Sequence, residues 1–382
     1  MASAERPFKV DIPDTQLEQL KTKLAFTRFP DELEDAGWDY GAPLGDVKRL
    51  VDRWRNEWDW RRLEAEINEL PMFTQDIEID GFDTLEIHYV HQMSESVNAI
   101  PLLFIHGYEW PGHFLEVRKI LPLLSSQEEP SFHVVALGLP GYGWSEAPKK
   151  KGFRMGRYAE IANKLMTSLG YSEYVMQAGD LGHFVTRKMA ILYGGKHLKA
   201  WHTNMPLGAP PTITSNLLAF LGSLLMGYSA TDKAALARSQ WFRTHGSGLL
   251  AWIYEKLHHW TDDYPWSDDE VLDWISVYWF SRGAPATTLK IYYELMQSPD
   301  FNDVSQVTTA PMGVSYFPKE VAPSPKSWVR LTGHVVFEAE HDDGGHFAAH
   351  KKPEELVWDL REMFGKGGPA FGVVSGKNGY KT

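Results

Sequence analysis

Two hydrophobic periods run along the chain, and the switch between them divides it. Near the start, Leu17, Leu20 and Leu24 recur at helical spacing behind Thr15 and Glu18, which fit a capping box. Val47, Leu50, Val51, Trp54 and Trp58 form a second helical stripe. Both helices are amphipathic, so each must pack on something larger. Ile77, Ile79, Leu85, Ile87 and Tyr89 then alternate around Asp80-Gly81, which predicts two strands joined by a turn.

From about residue 100 the pattern becomes short apolar runs separated by helix-length segments. The runs are PLLFIH (101–106), HVVALG (133–138), EYVMQAG (173–179) and AWHTNM (200–205). Strands alternating with helices predict an α/β fold with a mostly parallel sheet. Residues 207 to about 300 read as helical throughout, with a new helix starting at Ser267. The run LLAFLGSLLMGY (Leu217 to Tyr228) is too short to span a bilayer and reads as a buried helix or the wall of an apolar pocket. Strand-like runs return at 310–318 and 334–340. The sheet is thus interrupted by an inserted helical lid. The expected division is an N-terminal wrapping meander at 1–95, a core at 96–206 and 306–365, a lid at 207–305, and a flexible Gly- and Lys-rich tail at 366–382.

Composition narrows the chemistry. The 382 residues include 15 Trp, 16 Tyr and 19 Phe, enough for a sizeable core without staples. With no cysteine, disulfides, thiolate metal sites and a cysteine nucleophile are excluded. A net charge of -12 without a basic patch argues against nucleic-acid binding. The N-terminus lacks an apolar run of signal-peptide length, and no stretch approaches about 20 apolar residues. A soluble cytoplasmic protein is the expectation, and a homodimer is compatible with it.

The strongest local signal is Ala178-Gly179-Asp180-Leu181-Gly182, between an apolar strand and a helix bearing Phe184, Val185, Met189 and Leu192. Small residues two before and two after a central residue permit a nucleophile elbow. The central residue here is Asp. A carboxylate needs no deprotonation at neutral pH and attacks an sp³ carbon to form an ester. On this segment alone, Asp180 serves equally well as a helix N-cap. His346, in Gly344-Gly345-His346-Phe347 after the last strand, stands where this fold class places its base. Glu320, in Phe317-Pro318-Lys319-Glu320, follows the preceding strand and suits a partner that orients the histidine. Asp342 and Asp343 are alternatives for that role. Nucleophile, acid and base then follow the α/β-hydrolase chain order. His341, His346 and the two aspartates between them fit no standard metal spacing, so no metal is expected. The loop His106 to Gly112 offers a backbone N–H, that of Tyr108, to pair with Leu181 N–H as an oxyanion hole.

Together these residues resemble the microsomal-type epoxide hydrolases, including their soluble fungal members. FTRFPDELEDAGWDYG and WDWRRLEAEINELPMFT resemble that family's N-terminal domain. LPGYGWSEAPKKKGF, the aspartate elbow, AWHTNMP, LLAWIYEKLHHWTD, IYYE, GVSYFPKE and GGHFAA also match. The resemblance implies that Asp180 opens an apolar epoxide to give a covalent ester. It implies that His346 activates the water that hydrolyses this ester to a vicinal diol, with Glu320 as its charge partner. Tyr292 corresponds to a lid tyrosine that donates a proton to the epoxide oxygen. The substrates implied are an epoxide and water, with no organic cofactor or metal.

Three departures accompany the resemblance. Gly248 runs directly into Leu249, where the family carries a second lid tyrosine and a longer segment; Tyr228 and Tyr254 are the nearby replacements. The HGWPG loop carries the extra Tyr108-Glu109. Leu181 replaces the usual Trp after the nucleophile, which argues against a dehalogenase. The other readings are a different aspartate-nucleophile reaction, such as epoxide-opening cyclisation, and an impaired hydrolase fold acting as a binding protein.

Overall fold

Strands covered by helices on both faces carry side chains that are apolar in every position. That is the case for β4 (Ile100–Ile105) and β5 (Phe132–Leu137), whose residues are all buried. The structure is a computed structural model that describes residues 4–105, 107, 112–211, 216, 229, 232–233, 249–283, 287, 290–291, 293–294 and 306–381. Its single nine-stranded sheet begins with β1 (Arg6–Pro7), β2 (Met72–Ile77) and β3 (Leu85–Gln92), which are mutually antiparallel. The predicted hairpin is β2–β3, turned at Gly81 with φ 75°. Beyond β5 the sheet continues through β6 (Tyr174–Ala178), β7 (Leu198–Thr203), β8 (Thr308–Tyr316) and β9 (Gly333–Glu340). The order is β1-β2-β3-β5-β4-β6-β7-β8-β9, and β5 through β9 are parallel.

Period-two alternation sorts these strands onto two cores. Leu102, Phe104, Val134 and Ala136 face one side, with the helices α4 (Val117–Ser125) and α9 (Pro353–Phe364). Leu103, Ile105, Val135 and Leu137 face the other, with α5 (Met155–Ser168) and α6 (Leu181–Tyr193). Pairing of Ile105 with Ala178, and of Ala178 with Thr203, aligns the carboxyl ends of β4, β6 and β7. Ligands of open α/β sheets bind at that edge.

The N-terminal helices are α1 (Asp14–Ala25), α2 (Leu44–Asn56) and α3 (Trp60–Ile67). The capping box expected at Thr15 and Glu18 is absent. Pro13 occupies the N-cap, no side chain caps the helix, and Asp14 meets the positive end of the dipole. The helix starts before Thr15, which leaves that residue inside the first turn. Two described helices of the inserted segment, α7 (Leu249–His259) and α8 (Asp268–Phe280), receive the N-terminal segment. A capping box does occur at α8, between Ser267 and Glu270. Trp60 packs on Phe280 at 4.5 Å between ring centroids, and Arg53 forks onto Asp269 at 2.9 and 3.0 Å. Trp58 lies past the end of α2 and donates to Asp273 at 2.8 Å.

The Gly-rich stretch expected to be a loose tail is held in place. Gly379 donates to Asn98 O at 2.7 Å and its carbonyl accepts from Ser131 N at 2.9 Å, while Ala370 and Val374 are buried. Among the described residues no helix is long and apolar enough to cross a membrane.

Burial, the main cause in each case, pushes His88, His113, His183 and His202 down to about 3. The unfolded chain binds these protons from about pH 6.5 downward, while the folded state refuses them until about pH 3. Their stabilising contribution is therefore complete above pH 6.5 and is lost as pH falls through that window. His88 tests this cleanly, because neither ring nitrogen has a hydrogen-bond partner among the described residues. His88→Leu should flatten the pH dependence of unfolding free energy by about 1.4 kcal/mol per pH unit between pH 6 and 4. An unchanged slope in urea melts would refute it.

Candidate active site

The turn from β6 into α6 is forced by close packing. A Cβ on Gly182 would stand 2.1 Å from the carbonyl oxygen of Ile105, so only glycine lets α6 approach β4 this closely. Asp180 adopts φ 52° and ψ -134° at the apex, a conformation that costs about 1–3 kcal/mol in a residue with a side chain. Its Oδ1 accepts from the N–H of Leu181, the next residue. Ordinary N-caps reach the second or third N–H of the helix. Asp180 thus caps α6 while Oδ2 faces away from the helix.

On that side stands His346. Its Nε2 lies 2.8 Å from Asp180 Oδ2, and its Nδ1 lies 2.7 Å from Glu320 Oε1. All three residues are at most 1 % exposed. Glu320 Oε1 also accepts from Val321 N at 2.6 Å, which aims the carboxylate. The two loops are joined where Lys319 N donates to Gly344 O at 3.0 Å. Of the alternatives to Glu320, Asp342 is exposed and Asp343 pairs with Lys352 at 2.6 Å.

Burial by itself would push the His346 imidazole down. The charge of Glu320 and the bonds to both carboxylates outweigh it and hold the imidazole well above its usual range. One ring nitrogen is committed to each carboxylate, which is an arrangement for holding and handing over a proton.

Two contributors escaped the sequence reading. Trp260, on the lid beyond α7, accepts from His346 N at 3.0 Å and presents its ring edge-on to the imidazole at 5.0 Å. Gly107 lies against the nucleophile candidate, since a Cβ there would be 2.7 Å from Asp180 Oδ2. A glycine after a strand and a tryptophan in a helical block are weak signals alone. Tyr254 turns toward the N-terminal segment, where its hydroxyl donates to Asp46 at 3.4 Å. Tyr108, Tyr228 and Tyr292 lie outside the described residues, as does the whole apolar run Leu217 to Tyr228.

Known proteins carry the same plan. The epoxide hydrolase N terminus family model matches residues 5–117, and the alpha/beta hydrolase fold model matches 100–235. A Stigmatella aurantiaca relative is 37% identical over 94% of this chain and 84% of its own. Epoxide hydrolase 1 of Sus scrofa is 32% identical over 94% and 88%. Among solved structures, Aspergillus niger epoxide hydrolase superposes with a TM-score of 0.79 at 32% identity, covering 94% of this chain and 95% of that one. With an aspartate on a strained elbow, a histidine bridging it to a second carboxylate, and relatives of this similarity over nearly the whole length, the chain belongs to the epoxide hydrolase family of the α/β-hydrolase fold.

Proposed function

We propose that this epoxide hydrolase converts an apolar epoxide to a vicinal diol through a covalent ester on Asp180. The observation that carries the reading is the continuous buried contact Asp180–His346–Glu320, with both imidazole nitrogens engaged at 2.8 and 2.7 Å. Asp180 Oδ2 attacks an epoxide carbon, the ring C–O bond breaks, and its electron pair leaves on the epoxide oxygen. A phenol keeps its proton at neutral pH yet passes it to an alkoxide, and Tyr292 is the residue assigned to that step.

The ester is opened in the second half-reaction. Water attacks Cγ of Asp180 while His346 takes its proton, and the oxyanion forms on Oδ1. Leu181 N–H already donates to that oxygen, and the N–H of Tyr108 is assigned as its companion. Collapse expels the diol oxygen, which takes the proton back from His346. Alkylation removes the negative charge of Asp180, one of the two that keep His346 protonated in the resting site. The imidazole thereby falls toward the range in which it releases that proton to solvent; its freed nitrogen then accepts one from the attacking water, and Glu320 remains to stabilise the cation.

His346→Gln should form the ester and stall. Intact-mass analysis after exposure to styrene oxide should show one adduct on Asp180, with none on Asp180→Asn. Rapid diol release without an adduct would contradict the assignment. Removing the Glu320 charge lowers the pKa of His346, so in Glu320→Gln the acid limb of ester hydrolysis moves to lower pH. The plateau should fall by roughly 10²- to 10⁴-fold, because the imidazolium loses its partner. A pH profile superimposable on wild type would remove Glu320 from the mechanism.

A further inference from the structure

Behind His346 a line of fully buried polar side chains crosses the sheet. Asn204 Nδ2 lies 3.3 Å from the carbonyl oxygen of His346, and Asn204 Oδ1 lies 2.9 Å from Gln177 Nε2. Gln177 Oε1 is 2.6 Å from His202 Nδ1, and His202 Nε2 is 3.0 Å from Ser315 Oγ. Ser315 Oγ contacts Asp359 Oδ2, which in turn lies 2.7 Å from His341 Nε2 at the sheet edge. Gln177, His202, Asn204, Ser315 and Asp359 are each at most 2 % exposed. Strand register creates the line, since Gln177 pairs with His202, and His202 with Gly313 two residues before Ser315.

The direction of each bond follows from its fixed end. A backbone carbonyl only accepts, so Asn204 must turn its NH₂ toward His346 and its oxygen toward Gln177. Gln177 must then give its NH₂ to Asn204 and its oxygen to His202. His202 must carry a proton on Nδ1 to donate there. Burial makes the charged imidazole unfavourable, which leaves Nε2 as an acceptor for the hydroxyl of Ser315. Ser315 Oγ also reaches Asp359 Oδ2, on which His341 Nε2 closes at 2.7 Å, so the line ends on Asp359 at the sheet edge.

We infer that Asn204 is a positioning residue for His346, held in its working orientation by a one-way hydrogen-bond chain through Gln177, His202 and Ser315. His346 is then fixed by its main chain from two bodies. Its N–H is anchored to the lid through Trp260 O, and its C=O to the core through Asn204. A base that must meet both Asp180 and an attacking water tolerates little displacement, since an error near 1 Å costs on the order of 100-fold in rate.

The functional half of this inference rests on the ester mechanism proposed above, and the test separates the two. Asn204→Asp keeps the size and removes the donor facing His346 O. Ester formation with styrene oxide, followed by rapid-quench mass analysis, should proceed within about threefold of wild type, and ester hydrolysis should slow by on the order of 100-fold, so that the adduct accumulates. Asn204→Ala, which removes the donor without adding a carboxyl group, carries the same expectation if the first variant does not fold. Hydrolysis within about threefold of wild type, or equal loss of both half-reactions, would overturn the role. An absent adduct in the His346→Gln control would instead indict the ester mechanism. Independently of any chemistry, ¹⁵N NMR of labelled histidine, assigned with His202→Gln, should show His202 with its proton on Nδ1. A proton on Nε2 alone would overturn the chain.

Discussion

The site depends on one close approach, that of Gly182 to the carbonyl of Ile105. It sets the distance between β4 and the start of α6 and so forces the chain to reverse within two residues. The strained φ of Asp180 follows from that reversal rather than from any preference of aspartate. Because Ile105 and Ala178 are paired in register, the same contact brings the end of β4 beside the carboxylate, and Gly107 packs against Asp180. The Leu181 N–H is directed at Oδ1 by the same turn. The strained carboxylate, the N–H aimed at it and the neighbouring glycine are thus consequences of one backbone contact.

His346 is supported differently. It lies on a loop, and loops hold position poorly unless both sides are anchored. Here Gly345 packs so tightly on Trp260 O that a Cβ would stand 2.5 Å away, while Lys319 N ties the Glu320 loop to the His346 loop. The inserted helical segment therefore reaches the site itself, because the carbonyl of Trp260 holds the main chain of His346. The N-terminal helices in turn grip α8 through Trp60, Trp58 and Arg53. The partly exposed ion pair is screened by solvent, so the aromatics carry most of that contact.

What could be read in the sequence was what is local. The elbow is a five-residue pattern, the strands of the core are short apolar runs, and the histidine follows a Gly-Gly pair after the last of them. Each signal needs no knowledge of distant chain. Glu320 was harder to read, since three carboxylates near the last two strands were eligible and only the fold shows which meets Nδ1. The tail was misread because Gly and Lys composition speaks to local stiffness, whereas Gly379 is fixed by backbone bonds to Asn98 and Ser131, both more than 240 residues away. The N-cap was misread because Pro13 can begin the helix without a side-chain acceptor.

Asn204 marks the boundary of such reading. In the sequence it is one polar residue at the end of an apolar run, and nothing nearby says what it faces. Its meaning comes from β7 lying beside β6 and from a histidine 142 residues downstream presenting a carbonyl to it. A carbonyl cannot donate, and that single restriction propagates outward. It orients two amides and selects one tautomer of a buried imidazole three side chains away. Apolar packing could fill the same space, but it would supply no donor to the carbonyl of His346 at that point. The polar line behind the sheet is thus best understood as an extension of the site, reaching from the base to the far edge of the fold.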